Sequence, residues 1–170
     1  MCKSYIRLIS LLLLPLAALV FAASGEKYKS ASVDQSGQLH ILLDSGKEVL
    51  PNKIKGQVSF NNPKLSPDRR TIGWVVMYPD ISSTGYEGTP LAFNLVLYRA
   101  GRVLRTFATE PTLWDWEFQA RGKRVAFSTG PTHGGATECI LRDVDSGRTV
   151  ARWRVREGVQ APAWTRTLRQ

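Results

Sequence analysis

The sequence predicts an all-β fold: antiparallel meander repeats stacked as an incomplete array or a distorted sandwich. Three observations carry this. Beyond residue 22 no stretch holds apolar residues at the 3.6-residue period of a helix. Short β-branched and aromatic runs recur instead, separated by Gly, Pro, Asp and Ser. Two long segments also resemble each other in order and spacing.

The alternation places strands near Tyr28–Val33, Gln38–Leu43, Gln57–Phe60, Thr71–Tyr78, Ala92–Tyr98, Arg102–Ala108, Trp114–Phe118, Lys123–Ser128, Glu138–Asp143 and Thr149–Val155. Tight turns join several of them at Gln35-Ser36-Gly37, Asp44-Ser45-Gly46, Arg99-Ala100-Gly101 and Asp145-Ser146-Gly147. Glycine tolerates the positive φ of such turns, and Asp or Ser bonds back to the following backbone.

The repeat is the most informative feature. Leu65-Ser66-Pro67-Asp68-Arg69-Arg70-Thr71-Ile72-Gly73-Trp74 aligns with Phe118-Gln119-Ala120-Arg121-Gly122-Lys123-Arg124-Val125-Ala126-Phe127 at an offset of 53. Further on the offset becomes 46, matching Leu95 with Leu141, Gly101 with Gly147, Leu104 with Val150 and Phe107 with Trp153. The loop between the two blocks absorbs the change. A reduced copy runs from Val33 to Leu50, with Gln35-Ser36-Gly37 as its first turn and Asp44 to Val49 as its second. The chain then divides into a leader at 1–22 and one all-β domain at 23–170: a partial unit at 30–55, full units at about 57–109 and 113–156, and a short tail.

Ser66-Pro67-Asp68-Arg69-Arg70-Thr71-Ile72-Gly73-Trp74 resembles the Ser-Pro-Asp-Gly-(Lys/Arg)-x-(Ile/Leu)-Ala-(Phe/Trp) signature of WD-like β-propeller repeats, such as those of the Tol-Pal translocation protein of the bacterial periplasm. The resemblance implies four-stranded meanders packed as blades, and interaction rather than catalysis; it supplies no catalytic residue. Two positions depart from it. Arg69 stands where the turn glycine is usual, and Arg121 where the aspartate is usual. Closed propellers need at least four blades, so the expectation is an incomplete, propeller-like array.

The leader is read from Met1–Arg7, with Lys3 and Arg7 and no acid, followed by the apolar run Leu8–Phe21. A basic start, an apolar core and a small-residue exit define a secretion signal, and Val20 and Ala22 place the cut after Ala22. The run is short of the roughly 20 residues a spanning helix needs, and Pro15 interrupts it, so no membrane span is expected after cleavage. The protein is therefore expected in the periplasm or outside the cell. Without the leader, 21 basic residues face 14 acidic ones. From Arg121 onward there are ten basic side chains and four acids, so the excess is mostly C-terminal. In this compartment the polyanions are lipid head groups, wall polymers and acidic proteins; nucleic acid is not an expected partner.

Candidate site residues cluster in the crossing after the second strand of each full unit. Tyr78 to Pro90 offers Tyr78, Asp80, Tyr86 and Glu87; Ser128 to Gly135 offers Thr132 and His133. Equivalent loops of stacked units leave from one side, and loops held by a rigid sheet collect binding groups. Arg152, Arg154 and Arg156 alternate with Trp153 and Val155, giving a basic stripe for an anionic partner, or a charged face that discourages edge aggregation. Trp114, Trp116 and Phe118 share one strand face, read as packing between sheets. His40, His133 and Cys139 lack metal-ligand spacing, so no metal and no cofactor are expected. Cys139, aligned with Phe93, reads as a small buried hydrophobe.

These readings favour a non-catalytic exported module that binds a protein or envelope component through the two crossings. The rivals are a small hydrolase using His133 with Asp80 or Glu87, and a structural homo-oligomer completing its sheet with copies of itself.

Overall fold

The computed structural model describes residues 26–79, 90–132 and 134–168; the leader lies outside them. Eleven strands among these residues build three antiparallel sheets. The first holds β1 (Tyr28–Val33), β2 (Leu39–Leu43) and β3 (Glu48–Val49). The second holds β4 (Ser59–Leu65), β5 (Ile72–Tyr78), β6 (Leu91–Arg99) and β7 (Arg102–Ala108). The third holds β8 (Thr112–Gln119), β9 (Arg124–Gly130), β10 (Glu138–Asp143) and β11 (Thr149–Arg154). Each is a simple meander, with neighbours in space also neighbours in sequence. The all-β, antiparallel expectation is met.

The sheets stack, and side-chain alternation shows how. Ile72, Trp74, Val76, Val96 and Tyr98 of the second sheet pack against Leu39, Ile41 and Leu43 of the first. Val75, Leu95, Leu97 and Phe107 leave its other face to meet Trp116, Phe118, Val125 and Phe127 of the third. Both faces of β5 and β6 are thus buried, which is why these strands read as nearly continuous apolar runs.

The first block of the repeat is visible in the pairing. Leu65 pairs with Ile72, and 53 residues later Phe118 pairs with Val125. The second block needs a correction. Gly73 pairs with Leu97 and Ala126 with Leu141, so β6 and β10 are offset by 44 and Leu97, not Leu95, matches Leu141. Cys139 accordingly matches Leu95 and not Phe93. The offset of 46 holds after the turn, where Phe107 pairs with Leu95 and Trp153 with Cys139. The β10–β11 turn is two residues longer than the β6–β7 turn, and an even slip leaves the faces unchanged.

The reduced copy is also re-registered. Asp44 N–H donates to Lys27 C=O at 3.0 Å, as Val144 N–H donates to Lys123 C=O at 3.0 Å. β1, β2 and β3 therefore correspond to β9, β10 and β11, and the Gln35–Gly37 turn takes the place of the long crossings. Glu48 and Val49, read from sequence as turn, pair with Leu42 and Ile41. β4 runs five residues beyond Phe60, through Pro63. It is an edge strand with a bulge between Asn61 and Lys64, where proline costs no ladder bond.

Both outer faces of the stack are finished. On the third sheet Ala126, Cys139 and Leu141 are covered by Trp164 and Leu168 of the C-terminal tail. Gln119 Nε2 holds that tail by donating to Trp164 C=O at 2.5 Å. On the first sheet the residues facing away from the core are Ser30, Ser32, His40 and Glu48 with the half-buried Leu42 among them, a mostly polar surface. No helix among the described residues is long and apolar enough to cross a membrane.

Candidate functional site

β4 and β8 run side by side in the same direction at one edge of the stack. Trp116 Nε1–H donates to Asn62 C=O at 3.1 Å. Lys64 Nζ reaches Trp116 C=O at 2.5 Å, Glu117 at 2.9 Å and Asp115 at 3.6 Å. Because β4 and β8 start at the same end, β5 and β9 finish there too. Tyr78 and Gly130 therefore stand at one end of the molecule, and the crossings at 79–90 and 131–137 leave from it.

A cleft of about 410 Å³ lies along these two strands, lined by Asn61, Asn62, Lys64, Trp114 and Asp115. Both strands are bulged beside it, between Asn61 and Lys64 and between Leu113 and Asp115. The second bulge decides what the cleft presents. Leu113 pairs with Thr129 and Asp115 with Ser128, so Trp114 is the extra residue and turns out of the ladder. It is 42 % exposed, while Trp116 and Phe118 are buried. The single tryptophan-bearing face expected from sequence is therefore divided. Asn62 sits at φ 46°, a left-handed conformation that asparagine tolerates better than most residues. Lys64 also lies 5.3 Å from the Trp116 ring centroid, so its charge ties the two strands together and faces two carboxylates.

Of the residues singled out from sequence, Tyr78 closes β5. Its hydroxyl accepts from Asn94 Nδ2 at 2.6 Å, and its ring stands 6.2 Å from Phe93. Thr132 lies just past β9, its hydroxyl 3.2 Å from that of Thr112 at the start of β8. Asp80, Tyr86, Glu87 and His133 lie outside the described residues. Arg152 and Arg154 share a face of the edge strand β11, and Arg156 follows it. Arg152 pairs with Glu138 at 2.9 Å, and neither Arg154 nor Arg156 has an ion pair among the described residues. Cys139 is fully buried and its thiol is pushed up to about 11 by burial and then by the charge of Glu138, as suits a core residue.

Sequence reasoning missed Asn61, Asn62, Lys64 and Asp115. The usable signal was Asn62 and Asp115 falling 53 residues apart, the offset of the repeat, with Asp115 polar inside a run read as strand and Asn62 just past one. No group of three or more His, Cys, Asp or Glu able to hold a metal occurs among the described residues. A cleft of about 440 Å³ at the opposite end includes Asp68, Arg99 and Asp145. Its charges serve the turns: Arg99 bonds Thr71 Oγ1 at 2.8 Å and Asp145 at 2.5 Å, and Asp68 accepts from Ser66 Oγ at 2.6 Å.

The class of protein is thus an all-β array of stacked antiparallel meanders, propeller-like in connectivity, with its loops and an exposed tryptophan at one end. No family model and no curated protein matches the chain. Among solved structures it is similar to the C-terminal WD40 domain of Sif2, with a TM-score of 0.44 and 12 % identity. That match covers 78 % of this chain and 38 % of the other, so the chain spans well under half of that structure's length.

Proposed function

We propose that this protein is an exported, non-catalytic β-repeat module that binds a protein or envelope component with the end from which the two long crossings leave. One observation carries the reading: a bulge turns Trp114 outward over the Asn61–Asn62–Asp115 cleft, at the end where β5 and β9 finish. A large exposed aromatic beside a polar cleft is the kind of anchor that protein-binding hot spots are enriched in. Tyr78 and Thr132 stand at the roots of the crossings, and the reading takes Asp80, Tyr86, Glu87 and His133 of those crossings as its further candidate contacts.

The test is a photo-crosslinking amino acid placed at position 114 in cells, with Val103, exposed elsewhere on β7, as the control position. A discrete adduct from position 114, lost when Asn62→Ala is added, supports the reading. Equal labelling from both positions, or none from 114, removes it. The hydrolase reading is separated by His133→Ala, which in a binding module abolishes no turnover.

A further inference from the structure

The outer edge of the seam between the second and third sheets holds a group of arginines that the loop-end site does not use. Gly147 is its centre. Arg142 Nη1 donates to Gly147 C=O at 3.3 Å, and a Cβ on Gly147 would lie 3.4 Å from Arg105 Nε and 3.7 Å from Phe107. The Arg142 guanidinium lies over the Phe107 ring at 5.5 Å. Arg152 projects from the neighbouring strand on the same face, paired across the ladder with Ile140, two residues from Arg142.

The charges here do not balance. Arg105 and Arg142 each have a buried Nε with no hydrogen-bond partner among the described residues. Their other bonds go to main-chain carbonyls, Asp145 C=O for Arg105 and Gly147 C=O for Arg142, which carry no full negative charge. One carboxylate belongs to the group, Glu138, which pairs with Arg152 at 2.9 Å. The others nearby serve other partners, Asp145 pairing with Arg99 and Asp143 accepting from Ser146 N–H and Oγ–H, so Arg105 and Arg142 have no carboxylate partner among the described residues. Burial, and then the charge of Arg152, hold the Arg142 guanidinium below its usual range. Half-buried guanidinium charges without a counter-charge are costly, and an anion on their exposed nitrogens would offset that cost.

We propose that Arg105 and Arg142, joined by Arg152 as it exchanges Glu138 for the ligand, form an oxyanion-binding site that takes the phosphate group of a small molecule or lipid headgroup. Guanidinium forks match phosphate oxygens in pairs, and the Phe107 ring with the adjoining turn fixes Arg142 so that little side-chain freedom is lost on binding. Gly147 adopts φ 73°, which glycine tolerates and which lets its carbonyl accept from Arg142 beside Arg105. Arg154, two residues along the same face, extends the positive surface beyond the site. This site is separate from the loop end, so either reading can fail without the other.

The test is calorimetric titration of the folded chain with inorganic phosphate, beside co-sedimentation with phosphatidylglycerol vesicles against phosphatidylcholine vesicles. Arg142→Gln and Arg152→Gln are compared with Lys47→Gln, the same charge change on the first sheet, and thermal midpoints establish that each variant is folded. Saturable phosphate binding weakened roughly tenfold or more in Arg142→Gln and Arg152→Gln, but not in Lys47→Gln, supports a small phosphate ligand. The same pattern with anionic vesicles alone supports a lipid headgroup. No saturable binding in either arm, or equal weakening in all three variants, overturns the proposal.

Discussion

The indole of Trp116 lies directly on the α-carbon of Gly73: a Cβ on that glycine would stand 2.5 and 2.9 Å from two ring atoms and 3.0 Å from Leu97. Trp116 is fully buried, donates to Asn62 C=O and packs edge-on against Phe118 at 5.3 Å, so the ring cannot retreat. The third-sheet counterpart is Ala126, over which the C-terminal tail lies instead of a β8 indole. One position in the repeat thus takes glycine or alanine according to what covers it.

Gly73→Ala is expected to destabilise the fold by about 2–3 kcal/mol through overpacking. Ala126→Gly should cost only about 1 kcal/mol, from the backbone freedom it adds to a strand. Urea unfolding of the two variants checks the order, and equal losses would show that the stacking contact is not what selects glycine.

Arg69 occupies the turn position where glycine is usual, at φ 61°. Its Nε donates to Tyr28 C=O at 2.8 Å and its guanidinium pairs with Asp44, fastening the turn to the first sheet. Arg69→Ala keeps the strained backbone and loses these bonds, so a loss of roughly 1–2 kcal/mol is expected. Arg69→Gly relieves the strain and should unfold at a higher denaturant concentration than Arg69→Ala. The reverse order contradicts the account.

The C-terminal tail seals Cys139. In a Cys2→Ser background the native thiol should resist a disulfide reagent, since it is fully buried and its pKa is pushed up to about 11. Removing residues 160–170 takes away Trp164 and Leu168, and labelling should then approach the rate of the unfolded chain. Leu168→Ala alone should cost about 2–3 kcal/mol, as for other buried leucines. Unchanged labelling after truncation would place the seal elsewhere.

His40 sits between two carboxylates, Glu48 at 2.9 Å from Nδ1 and Asp34 at 3.0 Å from Nε2. The hydrogen bond to Glu48, then that to Asp34, raises its pKa above the ordinary 6.5. Asp34 is held well below its ordinary 3.8, chiefly by the Ser36 hydroxyl and then by Gln38 N–H and His40. A raised histidine contributes fully below 6.5 and loses its contribution as pH rises through the folded value. A depressed aspartate contributes above 3.8 and loses it on acidification. Stability should therefore decline as pH rises above 6.5 and through the folded His40 value, and His40→Gln should flatten that decline. An NMR titration of the His40 ring giving 6.5 or less refutes the arrangement.

Much of the fold was legible because its strands are short and locally connected. Alternation marks which residues face inward, and turn glycines mark where the chain reverses. The Leu65–Trp74 and Phe118–Phe127 blocks aligned correctly because strand, turn and strand lie within ten residues. β3 escaped because two residues are too few to show a period. The β6–β10 match slipped by two because the compensating insertion sits in a turn, and a period of two cannot register an even slip. For the site, the roots of the crossings at Tyr78 and Thr132 were legible; the turning out of Trp114 was not. A bulge depends on how β8 registers against β9, and nothing within β8 reports that.

Local residue order by itself determined the all-β class, the first half of the repeat and the end from which the crossings leave, because each follows from alternation, turn chemistry and spacing along the chain. Only the tertiary structure decided that Trp114 faces outward while Trp116 is buried, that the tail covers Cys139, and that Arg105 joins Arg142 and Arg152 at one seam. Those outcomes rest on residues far apart in sequence meeting across stacked sheets, where packing and desolvation act on neighbours that no local pattern specifies.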